Sequence, residues 1–526
     1  MGSGGYGFNG SIAVKSGKWY WEGIGTNTRN GYVGGRIGFG EPDNWQSGES
    51  VTNRFLVFWH PSDGIALRLN GSTVSTASAT YVDGDILAWA LDADSNIVYA
   101  YKNNSLQATV DFSSTVSPGT RWLCPTDGNG SSGTPSWQYR FGSNGFNYTP
   151  RTGHKALCTA NLPDPTIAKP VNYFDVLKWS GAGNTNDRSL SIGFQADLIW
   201  SKTTSGTAYH HNLWDSLRGF GTNNAINMDQ NYSQGTASSG RIKSVSSSSI
   251  TWEAAGTSAE WYNGSGNTYC AWVWKAGGAP TATNTGGQNP TSGSVMINGS
   301  ASTAALPSAN IYPKKMSVNT DTGFSIVLND KTTTSVQTIP HALGRTPSFI
   351  MSKLTNGTSD WYIAFNCLDG SWDYMVGNST AGKNDQSISG PNTTVFTAPA
   401  LGGGSEEWVH YVWAEIPGFS RFGHYSANTT DGPFFFCGFR PAMVIIRSTT
   451  TARDWLLYDN ERGPYNPSGV AQSFTASTEY GGYDAVDFLS NGIKINGTGS
   501  PNFNGSGESY IVAAWAEHPL KYSNAK

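Results

Sequence analysis

Nowhere in this chain do about 18 apolar residues stand together, so no membrane-spanning helix is expected. Charge is scarce as well: Asp, Glu, Lys and Arg make up 13% of the residues, about half the usual share of a soluble protein. The net charge is −4 and the basic residues are scattered, which leaves no electrostatic footprint for a nucleic acid. The five cysteines, Cys124, Cys158, Cys270, Cys367 and Cys437, include no C-x-x-C pair. They fit neither a disulfide framework nor a zinc site and are expected as small buried apolar residues. The opening "MGSGGYGFNGSIAV" lacks a basic flank followed by an apolar run, so no signal peptide is expected.

What is abundant is glycine, 64 of 526 residues, and aromatic side chains, 13%. Disorder needs the reverse, high charge and few aromatics. The mixture suits compact all-β domains joined by tight turns, and the length allows three to five of them. Short runs of β-formers closed by glycine or Asn-Gly fill the first 150 residues: "GKWYWEGIG" (17–25), "YVGGRIGFG" (32–40), "RFLVFWH" (54–60) and "GIALRLNG" (64–71). In "DGDILAWALDADSNIVYAYKNN" (83–104), Leu87, Trp89 and Leu91 alternate with smaller residues. The turn "DADSN" follows, and then Ile97, Tyr99 and Tyr101 alternate, which predicts a hairpin with one buried face.

Three phrases, "SGKWYWE", "GDILAWALDADSNIVYAYKNNS" and "WQYRFGSNGFNYTP" (137–150), occur in the order of the SPRY domains, and this part of the chain resembles that family. The resemblance implies a two-sheet sandwich of concanavalin-A-like type over residues 1–150. The family has more strand before the Ser-Gly-Lys phrase than the roughly fifteen residues found here. The first edge is therefore expected to be incomplete or supplied by another chain.

Residues 151–170 read as an ordered linker, because Pro163 and Pro165 hold the residues before them extended. Beyond them the chain repeats itself. "NGSGNTYCAWVWKAGG" (263–278) nearly rhymes with "NGSGESYIVAAWAEHP" (504–519), and "SEEWVHYVWAEIP" (405–417) ends a third copy. Aligned on these phrases, Trp274, Trp413 and Trp515 coincide, as do Tyr269, Trp408 and Tyr510. Three diverged β-sandwich-type repeats are expected, at 171–278, 320–417 and 418–526. Residues 279–319, rich in Gly, Ser, Thr and Pro, read as a flexible linker or as a strand laid along a neighbour.

Asp215, Asp369 and Asp459 each close an apolar strand, and "DSLRG" (215–219) and "DNERG" (459–463) suggest turns in which the carboxylate pairs with Arg218 or Arg462. An acid repeated in every copy serves the fold better than a single active site. No Glu-x-Asp-x-Glu run suits a glycosidase, and adjacent Glu406 and Glu407 face opposite sides of a strand. No G-x-S-x-G elbow is present. "DADSN" has Ile97 and Asn103 where a calcium loop needs Gly and Glu, and the doublet His210–His211 reads as a loop. The sequence thus points to no enzyme, metal or cofactor.

Aromatics remain as working groups. Trp21, Trp89 and Trp274 lie in alternating strands and are expected in cores. Trp45, Trp261 and Trp372 stand among turn residues and are the candidate ligand contacts, each able to stack on a sugar ring while Asp, Asn or Gln neighbours bond its hydroxyls.

The linker and repeat phrases "HKALCTANLPDPTIAKPVNYF", "GFQADLIWSK", "LWDSLRG", "TYCAWVWKAGG" and "AAWAEHPLKY" resemble structural proteins of marine tailed phages, notably those infecting cyanobacteria and SAR11-type bacteria. That resemblance implies a virion protein, a tail fibre or other appendage, whose partners are virion chains and a host-surface glycan or outer-membrane protein. It implies made-in-host-cytoplasm, particle-borne localisation, and fibre habits suggest a homo-oligomer such as a trimer. A purely structural capsid fibre, decoration or tail connector is the alternative, and a glycan depolymerase a second.

Overall fold

The structure is a computed structural model. It describes residues 7–26, 36–42, 56–60, 64–69, 72–114, 116–128, 136–183, 185–235, 242–254, 261–331, 335–365, 372–385, 388–398, 405–428, 432–475, 479–496 and 501–522. The chain is almost entirely β and forms two compact units, one of residues 1–164 with 433–438, the other of residues 165–432 with 439–526. Among the described residues no helix is long and apolar enough to cross a membrane.

The N-terminal unit is a sandwich. One sheet has the order Gly7–Asn9, Cys124–Gly128, Arg36–Gly40, Leu56–His60, Gly64–Leu69, Ser72–Ala77. The other has Ser136–Arg140, Lys18–Thr26, Ile86–Asp92, Ile97–Lys102, Ser105–Asp111, with Lys155–Ala156 added in parallel against Trp19 and Tyr20. Trp21 and Trp89 from the second sheet meet Phe39 and Trp59 from the first edge-to-face, at ring separations of 6.1 to 6.3 Å, a geometry aromatic quadrupoles favour. The 83–104 hairpin forms, and Leu87, Trp89 and Leu91 line the core. On its return strand the inward residues are Val98 and Ala100, not Tyr99 and Tyr101. Ala100 lies opposite Trp89, so the small residue makes room for the indole. Tyr99 and Tyr101 turn outward, where Arg151 stands 3.8 Å over the Tyr99 ring. In "DADSN", Asp92 accepts the amides of Asp94 and Ser95, and Asn96 takes a positive φ of 53°, so the segment is a turn.

The three repeats of the C-terminal unit share one strand order. In the first it is Phe174–Ser180, Thr268–Trp274, Leu198–Ser205, Asn212–Asp215, Ile226–Asn227. In the second, Phe324–Lys331, Glu406–Trp413, Phe349–Leu354, Tyr362–Phe365 and Asp373–Val376 follow each other across the sheet in the same way. In the third they are Ser420–Ser426, Ser509–Pro519, Phe439–Ser448, Leu456–Asp459 and Ser468–Ser473. In chain order the sheet runs first, last, second, third, fourth strand. Trp274, Trp413 and Trp515 occupy the same register, opposite Leu198, Phe349 and Met443 of the second strands.

Period-two alternation gives each sheet two apolar faces. In the first repeat Ile199, Ala271 and Val273 pack outward on the three-stranded sheet carrying Ile250 and Trp252, while Leu198, Trp200, Trp272 and Trp274 enter a core common to all three repeats. At the centre of that core Trp274, Trp413 and Trp515 touch pairwise, with ring centroids 5.9, 5.5 and 5.6 Å apart. A closed set of hydrogen bonds surrounds them. The residue just before each third strand donates to the carbonyl ending the fourth strand of another repeat: Trp361 to Asn227 at 2.8 Å, Trp455 to Val376 at 3.0 Å, and His211 to Ser473 at 2.8 Å. Second reaches first, third reaches second, first reaches third. The repeats therefore form a pseudo-threefold body within one chain rather than beads on a string.

This explains the rhyme. The Tyr269 hydroxyl accepts the Gly264 amide at 2.8 Å, and Tyr510 accepts that of Gly505 at 2.9 Å. Asn263 and Asn504 accept the amides of Ala182 and Asn428. Gly266 and Gly507 take positive φ, 82° and 71°, with open space where a Cβ would stand. Gly266→Ala and Gly507→Ala should therefore each cost about 1 to 2 kcal/mol from backbone strain alone, read as equal shifts in a urea midpoint.

The stretch 279–319 is not a flexible linker. It contributes Val295–Ile297, Ser300–Ala301 and Lys315–Asn319, which extend the second repeat to an eight-stranded sheet, and it buries Val295, Leu306, Met316 and Val318. Its small residues hide apolar ones spaced for a sheet edge. Cys124, Cys270 and Cys437 are buried, Cys158 is half-buried, and Cys367 lies outside the described residues.

Candidate functional site

The acids at the strand ends are fully engaged. Asp215 accepts the amides of Leu217 and Arg218 at 3.0 Å, the Arg218 Nε at 2.6 Å and the Tyr411 hydroxyl of the second repeat at 2.8 Å. Asp459 accepts the amides of Glu461 and Arg462, the Arg462 Nε at 2.6 Å, and the Trp272 indole of the first repeat at 3.1 Å. Buried pairs saturated in this way are joints, with no lone pair free for substrate. The register corrects one alignment: opposite Phe349 the second repeat has Phe365, so Asp369, outside the described residues, is not the equivalent acid. Two residues before the tryptophan shared by the three repeats, the third repeat has Ala513 where the others offer Tyr411 and Trp272. With no donor to receive, an apolar Phe365 serves.

Glu406 accepts from the Trp408 indole and Glu407 from Lys314 and Thr355, so the adjacent acids form no pair. Nor is His211 free for a metal. It is buried, its Nδ1 accepts the Trp200 indole at 3.0 Å and its Nε2 faces the Ser473 carbonyl, which fixes the neutral tautomer. Burial pushes it down to about 3.

The three candidate tryptophans part company. Trp45 lies outside the described residues. Trp372 is only 1% exposed and packs in the second repeat's outer core with Ile350 and Phe396. Its turn-like neighbours suggested a loop, but the ring points inward just before a strand, so it presents no face to a ligand. Trp261 is half-buried at the surface, and the structure gathers other aromatics to it.

Tyr209 stacks on Trp261 at 5.4 Å with rings 25° from parallel, and His210 lies 5.5 Å from the same indole. Tyr232, 36% exposed, meets His210 edge-on at 6.5 Å. Three loops at one end of the sheet supply them: the turn between second and third strands, the segment after the fourth, and the approach to the last. The buried Lys202 holds the Tyr209 carbonyl at 2.6 Å. His210 Nδ1 lies 2.6 Å from Asp229, whose other oxygen accepts the His211 amide at 3.1 Å. Burial alone would raise the Asp229 carboxyl, but the His210 hydrogen bond and both histidines hold it below its ordinary value.

The sister repeats separate scaffold from specialisation. The His210–Asp229 brace recurs as Asp360–Asn378 and as Asp454–Thr475. The aromatics do not recur. The place of Tyr209 holds Ser359 and Arg453, and that of Trp261 holds Asn502 in the third repeat. A polar brace is needed by the shared fold; the half-exposed aromatic face belongs to the first repeat. Trp261 and His210 stand out in the sequence, His210 as half of a doublet read as a loop, whereas Tyr209 and Tyr232 do not, because they lie 52 and 29 residues from Trp261 along the chain.

In the N-terminal unit an open cleft of about 210 Å³ is lined by Gly10, Ile12, Pro125, Phe141, Leu157 and Cys158 among others. It has no charged lining and is smaller than the ~300 to 1,000 Å³ of typical ligand pockets.

Residues 169–519, about two thirds of the chain, match the family model described as a domain of unknown function, DUF7483. The chain belongs to this family. The DUF7483 span begins just before the first repeat and ends at the last strand of the third, treating as one domain the three repeats that share one core. No curated protein matches the chain. Among solved structures, the SPRY domain of human HERC1 is 18% identical, covering 26% of this chain and 81% of that one with a TM-score of 0.22. A carbohydrate-binding module, CBM66 from Bacillus subtilis, is 13% identical over 26% of this chain and 81% of its own, TM-score 0.19. Sheep galectin-11, in complex with glycerol, is 12% identical over 26% and 98%, TM-score 0.17.

Proposed function

We propose that this member of DUF7483 is a non-enzymatic binding protein displayed on a tailed-phage particle, a tail fibre or appendage adhesin that contacts a host-surface glycan through the aromatic face of the first repeat. The observation that carries the reading is the half-exposed set Tyr209, His210, Tyr232 and Trp261, absent at the corresponding places of the sister repeats. The apolar face of a pyranose stacks on Trp261, and its hydroxyls meet His210 and the edge of Tyr232. The phage assignment draws on the linker and repeat phrases.

One shallow sugar contact of millimolar strength is worth only about −4 kcal/mol. Several chains on one particle raise the effective affinity by ~10² to 10⁴. The closed threefold of the repeats supports a second reading, a purely structural virion part, since it offers a rigid body for docking on neighbouring chains.

The two readings separate in a competition assay. Purified protein added to susceptible cells should bind saturably and block adsorption of the matching phage, and Trp261→Ala should weaken both by about tenfold or more. A folded protein that neither binds nor blocks would move the assignment to the structural role.

A further inference from the structure

The loop carrying Asp229 and Tyr232 belongs to the first repeat, but its anchors belong to the second. The Asn231 carbonyl accepts the Ser359 amide at 3.0 Å and the Lys353 Nζ at 3.4 Å. Three residues on, the Gln234 amide donates to the Thr355 carbonyl at 2.9 Å. At the loop's start Trp361 holds Asn227. Lys353 is fully buried and also donates to the carbonyls of Leu354 at 3.1 Å and Ser359 at 2.8 Å. One lysine side chain thus ties the turn of the second repeat to the aromatic-bearing loop of the first.

We infer that Lys353 is a positioning residue for the binding face of the first repeat: by fixing Asn231 it sets where Tyr232 and Asp229 stand, and the second repeat thereby tunes what the first binds. This rests on the reading of Trp261 as the ligand contact. Asp229 grips both His210 and the His211 amide, so a displaced loop moves the imidazole that faces the ligand. The fold supplies its own control. Lys202 and Arg447 stand at the corresponding register, opposite Cys270 and Ile511 as Lys353 stands opposite Val409. Arg447 makes the equivalent reach, to the Ala381 carbonyl of the second repeat at 2.6 Å. An arginine at 353 should therefore keep the tie.

The test uses the full chain with polysaccharide purified from the host surface, and reads both affinity and the His210 imidazole resonances in histidine-labelled protein. Lys353→Met should lower affinity about fivefold and shift the His210 resonances without ligand, and Lys353→Arg should restore both to near wild type. Lys353→Gln is the second uncharged variant should the Met variant fail to fold. A folded uncharged variant with unchanged affinity and unchanged His210 resonances would overturn the inference. If Trp261→Ala binds as well as wild type, the site reading itself fails, and the His210 resonances alone then decide whether Lys353 positions the loop.

Discussion

Trp515→Ala is expected to cost the C-terminal unit about 4 kcal/mol, the usual penalty for emptying a buried tryptophan site. The reason lies in its neighbours: the indole touches Trp274 and Trp413 of the other two repeats, and Phe349 and Phe422 besides. Because the three rings form one cluster, the loss should appear as a single cooperative transition of all three repeats at lower urea. Trp274→Ala and Trp413→Ala should do the same, and pairs of these substitutions should couple by at least about 0.5 kcal/mol. A transition in which the third repeat melts alone, leaving hydrogen exchange of the first two unchanged, would mean the repeats are independent domains.

The second large effect is acid sensitivity. His211, His341 and His410 are buried, and burial pushes them from 6.5 down to about 3, 4 and 3. Their folded values lie below the unfolded one, so unfolding takes up protons as pH falls. The stability they protect is fully present above 6.5 and is lost progressively toward pH 3 to 4. At pH 4.5 the three together withdraw about 8 kcal/mol, at about 1.4 kcal/mol per unit. Asp175 and Asp197 act in the opposite sense. Burial raises both to about 6, so they gain protons on folding below that pH and return about 4 kcal/mol. The net of these five groups at pH 4.5 is a loss of about 4 kcal/mol, a large part of ordinary domain stability. Urea unfolding at pH 7 and 4.5 measures it, and His410→Phe should remove about 3 kcal/mol of the difference. Equal stability of wild type at the two pH values would show that these histidines are not held neutral.

The strands, the hairpin and the three repeats were legible because period-two alternation and glycine turns are local signals. The rhyme was legible because one turn, with its Asn, Gly and Tyr partners, is built twice. The closure of the repeats was not, since an apolar residue on a strand does not declare whether it faces its own outer sheet, as Ile199 does, or the shared core, as Trp200 does. The same ambiguity reversed the faces of Tyr99 and Tyr101 and hid Trp372. Residues 279–319 left a flexible linker and a strand along a neighbour both open, because their small residues outnumber Val295, Met316 and Val318, whose spacing carries the strands. At the site, Trp261 stood out by composition, but only folding brings Tyr209, His210 and Tyr232 to it.

The most direct measurement is a titration of host-surface polysaccharide into the full chain, followed by NMR of the tryptophan indole N–H and histidine imidazole signals, assigned with Trp261→Phe and His210→Gln variants. Binding through the first repeat predicts saturable shifts centred on Trp261 and His210, while the buried Trp274, Trp413 and Trp515 stay still. Saturable binding that leaves Trp261 and His210 unmoved would contradict a ligand face at this place.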